Sequence, residues 1–254
     1  MRVRFRFTKL GKVRFVSHRD VARAWERALR RAELPVALTE GFNPRPKVHF
    51  GLALPTGAES TGEYLDVDFR EDDLRDGRAV DLDTLAATLS PLLPDGIDVE
   101  AAAVIETSAT SLQQAVTSCS WTIEALGVEG DEAQDAVDAL LAAPEIMVTR
   151  QRKGHDVTDD IRPYIRHLAI VDQVAPVSGP DGGEPIAAAG VVLEADLNTQ
   201  PRGLRPAELA AALAPGVIEG RIRRNQQWIT IDGARQEPLL AGATSSARAP
   251  VGAP

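Results

Sequence analysis

Apolar and charged positions alternate strictly over residues 2–7, with Val3, Phe5 and Phe7 toward one side and Arg2, Arg4 and Arg6 toward the other. That is the period of a half-buried strand. Gly11-Lys12 then turns the chain into an expected short strand over 13–16. Ser17-His-Arg-Asp20 has the form of a capping box, the Ser17 hydroxyl facing free backbone N–H groups and Asp20 adding negative charge to the first turn. A helix over 18–32 follows, its inner face made by Val21, Ala24, Trp25, Ala28, Leu29 and Ala32, and it closes at Pro35. Gly41, Pro44 and Pro46 make 39–46 a loop, followed by strands over 47–54 and 63–69, an acidic surface loop over 70–80, a helix over 83–92 and a strand over 97–104.

The second half repeats this order: a strand over 120–126, a helix over 131–142, strands over 146–150, 164–174 and 190–197, a helix over 206–213 and one or two strands over 217–231. Residues 176–185, rich in Gly and Pro, read as a long loop. Leu85-Ala-Ala-Thr-Leu-Ser-Pro91 parallels Leu209-Ala-Ala-Ala-Leu-Ala-Pro215, which fits a duplication and equally a chance match of Ala-rich helices. The pattern predicts an α+β protein of two tandem ferredoxin-like (split βαβ) units with antiparallel sheets. The first covers 1–105 and carries the basic residues, the second covers 116–233, and 234–254 reads as a disordered tail.

Composition adds limits. The 254 residues are 44% hydrophobic and 26% charged, enough apolar material for two cores, which excludes wholesale disorder. There is no apolar run of membrane-spanning length, and Met1 leads straight into Arg2 with no stretch of signal-peptide type, so a cytoplasmic protein without membrane attachment is expected. The single cysteine, Cys119, excludes an internal disulfide, a four-thiolate zinc site and a self-contained iron–sulfur cluster.

Charge changes the picture most. The formal net charge is -9, but residues 1–60 hold 13 Lys+Arg against 5 Asp+Glu. Such asymmetry points to a polyanion-facing region beside an acidic one. On the expected helix, His18, Arg19, Arg23, Arg27, Arg30 and Arg31 form a stripe that, with Arg14 and the arginine side of the first strand, is able to track phosphates. The same stripe also reads as a solvated face paired with Glu26 and Glu33. In Glu40-Gly-Phe-Asn-Pro-Arg-Pro-Lys47, two prolines stiffen a loop that presents Phe42, Asn43, Arg45 and Lys47, suited to stacking on and hydrogen-bonding a single-stranded base. The alternative there is a rigid turn with Phe42 tucked into the core. A second basic island holds Arg150, Arg152, Lys153 and Arg162, with Arg162 open to pairing with Asp159 or Asp160 instead. His18 and His49 are weak candidates for an acid–base pair, each also readable as a structural or surface histidine. His155 with Asp156, Asp159 and Asp160 lacks regular ligand spacing and reads as a solvated turn, so no metal is expected. Phosphate-cradling glycine loops and a nucleophile elbow are missing from the sequence, and no residue pattern names a reaction.

Five stretches, Phe15-Val-Ser-His-Arg-Asp20, Glu26-Arg-Ala-Leu-Arg-Arg31, Gly41-Phe-Asn-Pro-Arg-Pro46, Leu54-Pro-Thr-Gly-Ala-Glu-Ser60 with Glu63-Tyr64, and Asp160-Ile-Arg-Pro-Tyr164, together resemble a family of uncharacterised bacterial proteins linked to radical-SAM enzymes. In that family the module occurs free-standing or behind a radical-SAM domain, and its genes commonly lie near those of ribonuclease E/G and ribosomal proteins. The resemblance implies a role in RNA metabolism. The chain lacks the Cys-x-x-x-Cys-x-x-Cys cluster motif, which matches the free-standing form and places the iron–sulfur cluster and S-adenosylmethionine on a partner, with no cofactor on this chain. The expectation is a non-catalytic accessory protein that binds structured RNA, ribosomal or transfer, for a separate radical-SAM enzyme. The alternative is a metal-independent endoribonuclease resembling CRISPR-repeat endoribonucleases in fold.

Overall fold

The computed structural model describes residues 1–70, 81–152, 154–178 and 185–240. In chain order the first elements are β1 (Arg2–Lys9), a 3-10 turn (Gly11–Phe15), α1 (His18–Arg31), β2 (Val48–Phe50), β3 (Glu59–Asp68), α2 (Leu82–Leu89), β4 (Val99–Ile105) and a single helical turn, α3 (Leu112–Ala115). There follow β5 (Val116–Leu126), α4 (Gly130–Ala142), β6 (Met147–Arg152), β7 (His155–Asp160), β8 (Ile165–Val174), β9 (Val177–Ser178), β10 (Pro185–Ala187) and β11 (Gly190–Asn198). The chain then forms α5 (Pro206–Leu213), β12 (Ile218–Ile231) and β13 (Ala234–Gln236). The protein is thus of mixed α+β type, with antiparallel strand pairing.

Two compact units divide the chain: Met1–Thr117 with the residues from Gln226 onward, and Ser118–Asn225. The expected cuts at 105, 116 and 233 differ from this partition, because the last residues of β12, together with β13, pack with the N-terminal half. In the first unit the strand order is β4-β1-β3, with β2 and β12 on β3 and β13 on β12. In the second it is β12-β5-β11-β8, with β6–β7 and β9–β10 as separate hairpins.

Local chemistry explains where α1 sits. Ser17 caps it by accepting from the Asp20 N–H at 3.3 Å, and Val21, Ala24, Trp25, Ala28 and Leu29 are buried at helical spacing. Trp25 is fully buried against the rings of Phe5 and Phe7, at 5.7 and 5.1 Å between centroids. These rings belong to the apolar side of β1, so the helix lies over that side and turns its arginines outward.

The opposite side of β1 departs from expectation. Read as solvent-facing, Arg2, Arg4 and Arg6 are instead paired. Arg4 is 1% exposed, makes two hydrogen bonds to Asp66 at 2.7 and 2.9 Å, and donates a third to the Pro238 carbonyl at 2.9 Å. Arg2 holds Asp68 at 2.6 Å, and Arg6 lies between Glu237 at 2.9 Å and Glu100 at 3.0 Å. Segment 234–240, expected to be tail, covers this face. The phosphate-tracking role expected of these three arginines is withdrawn.

Other differences have local causes. Residues 13–15 belong to the 3-10 turn, which Val16 ends, and form no strand, because the buried Lys9 ammonium takes the carbonyls of Arg14 at 3.2 Å and Val16 at 2.9 Å and the Gly57 N–H also takes that of Arg14. Residues 155–160, read as a turn, form β7 paired with β6. Within the expected 176–185 loop, β9 pairs with β10. The acidic stretch 71–80, Lys153 and the tail beyond 240 lie outside the described residues.

Candidate nucleic-acid interface

The outer face of α1 carries Arg19, Arg23, Arg27, Arg30 and Arg31, all exposed. Arg23 is tied to Asp20 at 3.1 Å, and the Asp20 carboxyl is held below its ordinary range by the Ser17 hydroxyl and then by Arg23. Arg19, Arg27, Arg30 and Arg31 have no ion pair with any described residue, and Glu26 and Glu33, the expected partners, do not reach them. Four guanidinium groups thus stand exposed along one helix with no ion pair among the described residues, Arg19 alone lying near enough to Asp20 to help lower its carboxyl.

The loop after α1 is anchored at its base and open at its tip. A bridge joins Leu38 to Pro46, the Thr39 N–H donates to the Arg45 carbonyl at 2.8 Å, and the Arg45 N–H donates to Thr39 Oγ1 at 3.0 Å. Gly41 takes φ 119, a backbone conformation open to glycine. Phe42 projects fully, at 112% relative exposure, so the alternative of a ring tucked into the core is excluded. Asn43 and Arg45 are exposed beside it, and Lys47 is half-buried, its N–H bonded to the Ala37 carbonyl at 2.8 Å.

Arg14 is half-buried, paired with Glu59 at 3.3 Å and lying over the Phe15 ring at 4.7 Å from its centroid. Phe15 itself is 63% exposed and was missed by the strand reading of 13–16. The available signal was the break in alternation, Val13-Arg-Phe-Val16, which places two apolar residues in succession at its end.

The two histidines do not form a couple. The His49 ring meets Asp68 at 3.2 Å on the arginine side of the sheet. Its neighbour Phe50 points to the opposite face and takes His18 edge-on at 5.0 Å. His18 borders a cavity of about 20 Å³ with Lys9, Phe50 and Glu63, room for about one water molecule. Burial alone would raise the Asp68 carboxyl, but Arg2 and His49 together hold it below the ordinary range.

In the second basic island, Arg150 and Arg162 are satisfied within the chain. Arg162 does not pair with Asp159 or Asp160. It donates to the carbonyls of Leu141 at 3.0 Å and Ile165 at 3.1 Å, closing the end of α4. Arg150 meets Asp159 at 3.1 Å, and Arg202 meets both Asp159 at 3.2 Å and Glu208 at 2.8 Å. Asp160 accepts from the backbone N–H groups of Ile146 and Arg162. Arg162 is thus a structural cap, and Arg152 ends β6 opposite His155. No described helix is long and apolar enough to cross a membrane.

Among curated proteins no match is found. Among solved structures, a chain of a Cbf5–Nop10–Gar1 complex aligns with a TM-score of 0.46 at 11% identity, over 89% of this chain and 48% of that one. A chain of an H/ACA ribonucleoprotein bound to a substrate RNA containing 2'-deoxyuridine aligns with a TM-score of 0.43 at 14% identity, over 90% and 48%. The protein spans about half the length of each. A family model matches residues 2–201, which include α1, its loop and most of the second unit, and the chain therefore belongs to the family described as "Uncharacterized protein conserved in bacteria (DUF2344)".

Proposed function

We propose that this protein binds RNA through the outer face of α1 and the 39–47 loop. One observation carries the reading: the arginines of β1, and Arg150 and Arg162 of the second unit's island, are matched by carboxylates or carbonyls, whereas Arg19, Arg27, Arg30 and Arg31 have no ion pair among the described residues. Unpaired guanidinium groups aligned on a rigid helix suit a row of phosphates. The protein acts without cutting the RNA, as an accessory that presents structured ribosomal or transfer RNA to a separate radical-SAM enzyme. The iron–sulfur cluster and S-adenosylmethionine belong to that partner; the lone Cys119, buried in this chain, fits such a division of labour. The fold reading that goes with this proposal is a pair of ferredoxin-like units, supported by the order β4-β1-β3-β2 in the first and β12-β5-β11-β8 in the second.

The test is retention of labelled ribosomal or transfer RNA by the purified full chain in EDTA. Intact RNA should be retained, and Arg27→Glu with Arg30→Glu should release it while the circular-dichroism melt stays unchanged. RNA that passes freely at low salt overturns the binding reading, and RNA cut in EDTA overturns the non-catalytic one.

A further inference from the structure

We infer that the RNA held by this surface is unpaired, with its bases stacking at two fixed aromatic platforms, Phe15 and Phe42, at opposite ends of the arginine-bearing helix. The inference rests on the RNA reading above and adds the state of the RNA. Phe15 and Phe42 are, at 63% and 112%, the two most exposed large apolar side chains described. Leaving a phenylalanine in water forgoes the gain of burying it, and here neither is left out by a loose backbone.

The residues on both sides of Phe15 are pinned. The buried Lys9 ammonium binds the carbonyls of Arg14 and Val16, and the Gly57 N–H donates to Arg14 at 2.8 Å. Phe42 stands on the hydrogen-bonded base between Thr39 and Arg45. Each ring is thus pre-organised, so little ordering entropy remains to be lost when a base stacks on it. Each also has a cation nearby, Arg14 over the Phe15 ring and Arg45 three residues beyond Phe42.

Topology separates the two rings. The Phe15 turn lies at the end of the β1–β3 ladder where Lys9 faces Ser60, while the base of the Phe42 loop lies at the other end, where Arg2 faces Asp68 and Val36 bridges Phe69. Between them runs α1, whose 14 residues span about 21 Å. A base inside a duplex offers its edges and not its faces, whereas an unpaired strand exposes faces for stacking and phosphates for arginine. The exposed arginines between the rings, four of them without an ion pair among the described residues, favour a polyanion over an apolar protein surface as occupant.

The experiment uses the full chain with two probes: a single-stranded oligoribonucleotide of about 12 nucleotides, within the range of known single-strand sites, and a blunt RNA duplex of the same sequence. Fluorescence anisotropy should show tighter binding of the single strand. Phe15→Ala and Phe42→Ala should each weaken it by about 5-fold to 150-fold, the usual worth of one stacked base. Duplex binding should be unchanged, and Phe42→Trp should keep single-strand affinity. Both side chains are exposed, so an unchanged thermal melt will verify that the variants fold. If both alanine variants bind the single strand as the parent does, while Arg27→Glu with Arg30→Glu abolishes binding, the platforms are refuted and the RNA reading stands; the rings then serve a protein partner. If the parent binds neither probe, the RNA reading itself has failed.

Discussion

Removing half of the unpaired arginines on α1 should halve the salt dependence of RNA binding. Arg19, Arg27, Arg30 and Arg31 are exposed and without an ion-pair partner among the described residues, whereas Arg23 already spends its charge on Asp20. With four phosphates neutralised on a single strand, log Kobs should fall against log salt with a slope of about -2.8. Raising salt from about 50 to about 200 mM then weakens binding roughly 50-fold. Arg27→Ala with Arg30→Ala leaves two contacts, a slope of about -1.4 and a loss of roughly 7-fold over the same range. Arg23→Ala should move the slope less than Arg27→Ala or Arg30→Ala alone, since Arg23 is already paired with Asp20. Filter binding or anisotropy at five or more salt concentrations measures each slope. An unchanged slope in the double variant would place the phosphate contacts elsewhere and refute the assignment of α1.

Three further predictions concern the scaffold that holds the helix. Asp66→Ala leaves the Arg4 guanidinium, 1% exposed, with one acceptor at Pro238; urea unfolding should show a loss of about 3–5 kcal/mol, while a joint replacement of Arg4 and Asp66 by apolar residues should cost much less. Gly96 has φ +90, and a Cβ there would lie 2.3 Å from the Leu10 carbonyl oxygen, so Gly96→Ala should destabilise by at least about 1–3 kcal/mol through backbone strain and displacement. The depressed Asp68 carboxyl contributes stability above the ordinary carboxylate range, and that contribution is lost as pH falls through its folded value. Asp68→Asn should accordingly flatten the acid side of the stability profile, and a profile parallel to the parent's would contradict the pairing with Arg2 and His49.

The elements were largely legible because their signals are local. The Ser17 cap and the spacing from Val21 to Leu29 placed α1 within one residue of its observed end, and α5 was placed at both ends. The turn at 11–15 was not, since it depends on a lysine ammonium taking carbonyls that a strand would have given to a ladder, and Lys9 carries no mark of that use in the sequence. The same limit governs the candidate site. Arg-Val-Arg-Phe-Arg-Phe and the α1 stripe look alike as basic patterns, yet the first is neutralised, whereas in the second only Arg23 has an ion pair among the described residues. What neutralises the first lies far away in the chain: Asp66, Asp68, Glu100, and the Glu237 and Pro238 of a segment that composition marked as tail. In the second the difference is local, because Glu26 and Glu33 make no ion pair with the arginines beside them. A count of charges in residues 1–60 therefore located the basic half of the chain but could not say which of its cations were available. Sorting them took the pairing, and the pairing moves the exposed charge off the strand and onto the helix between Phe15 and Phe42.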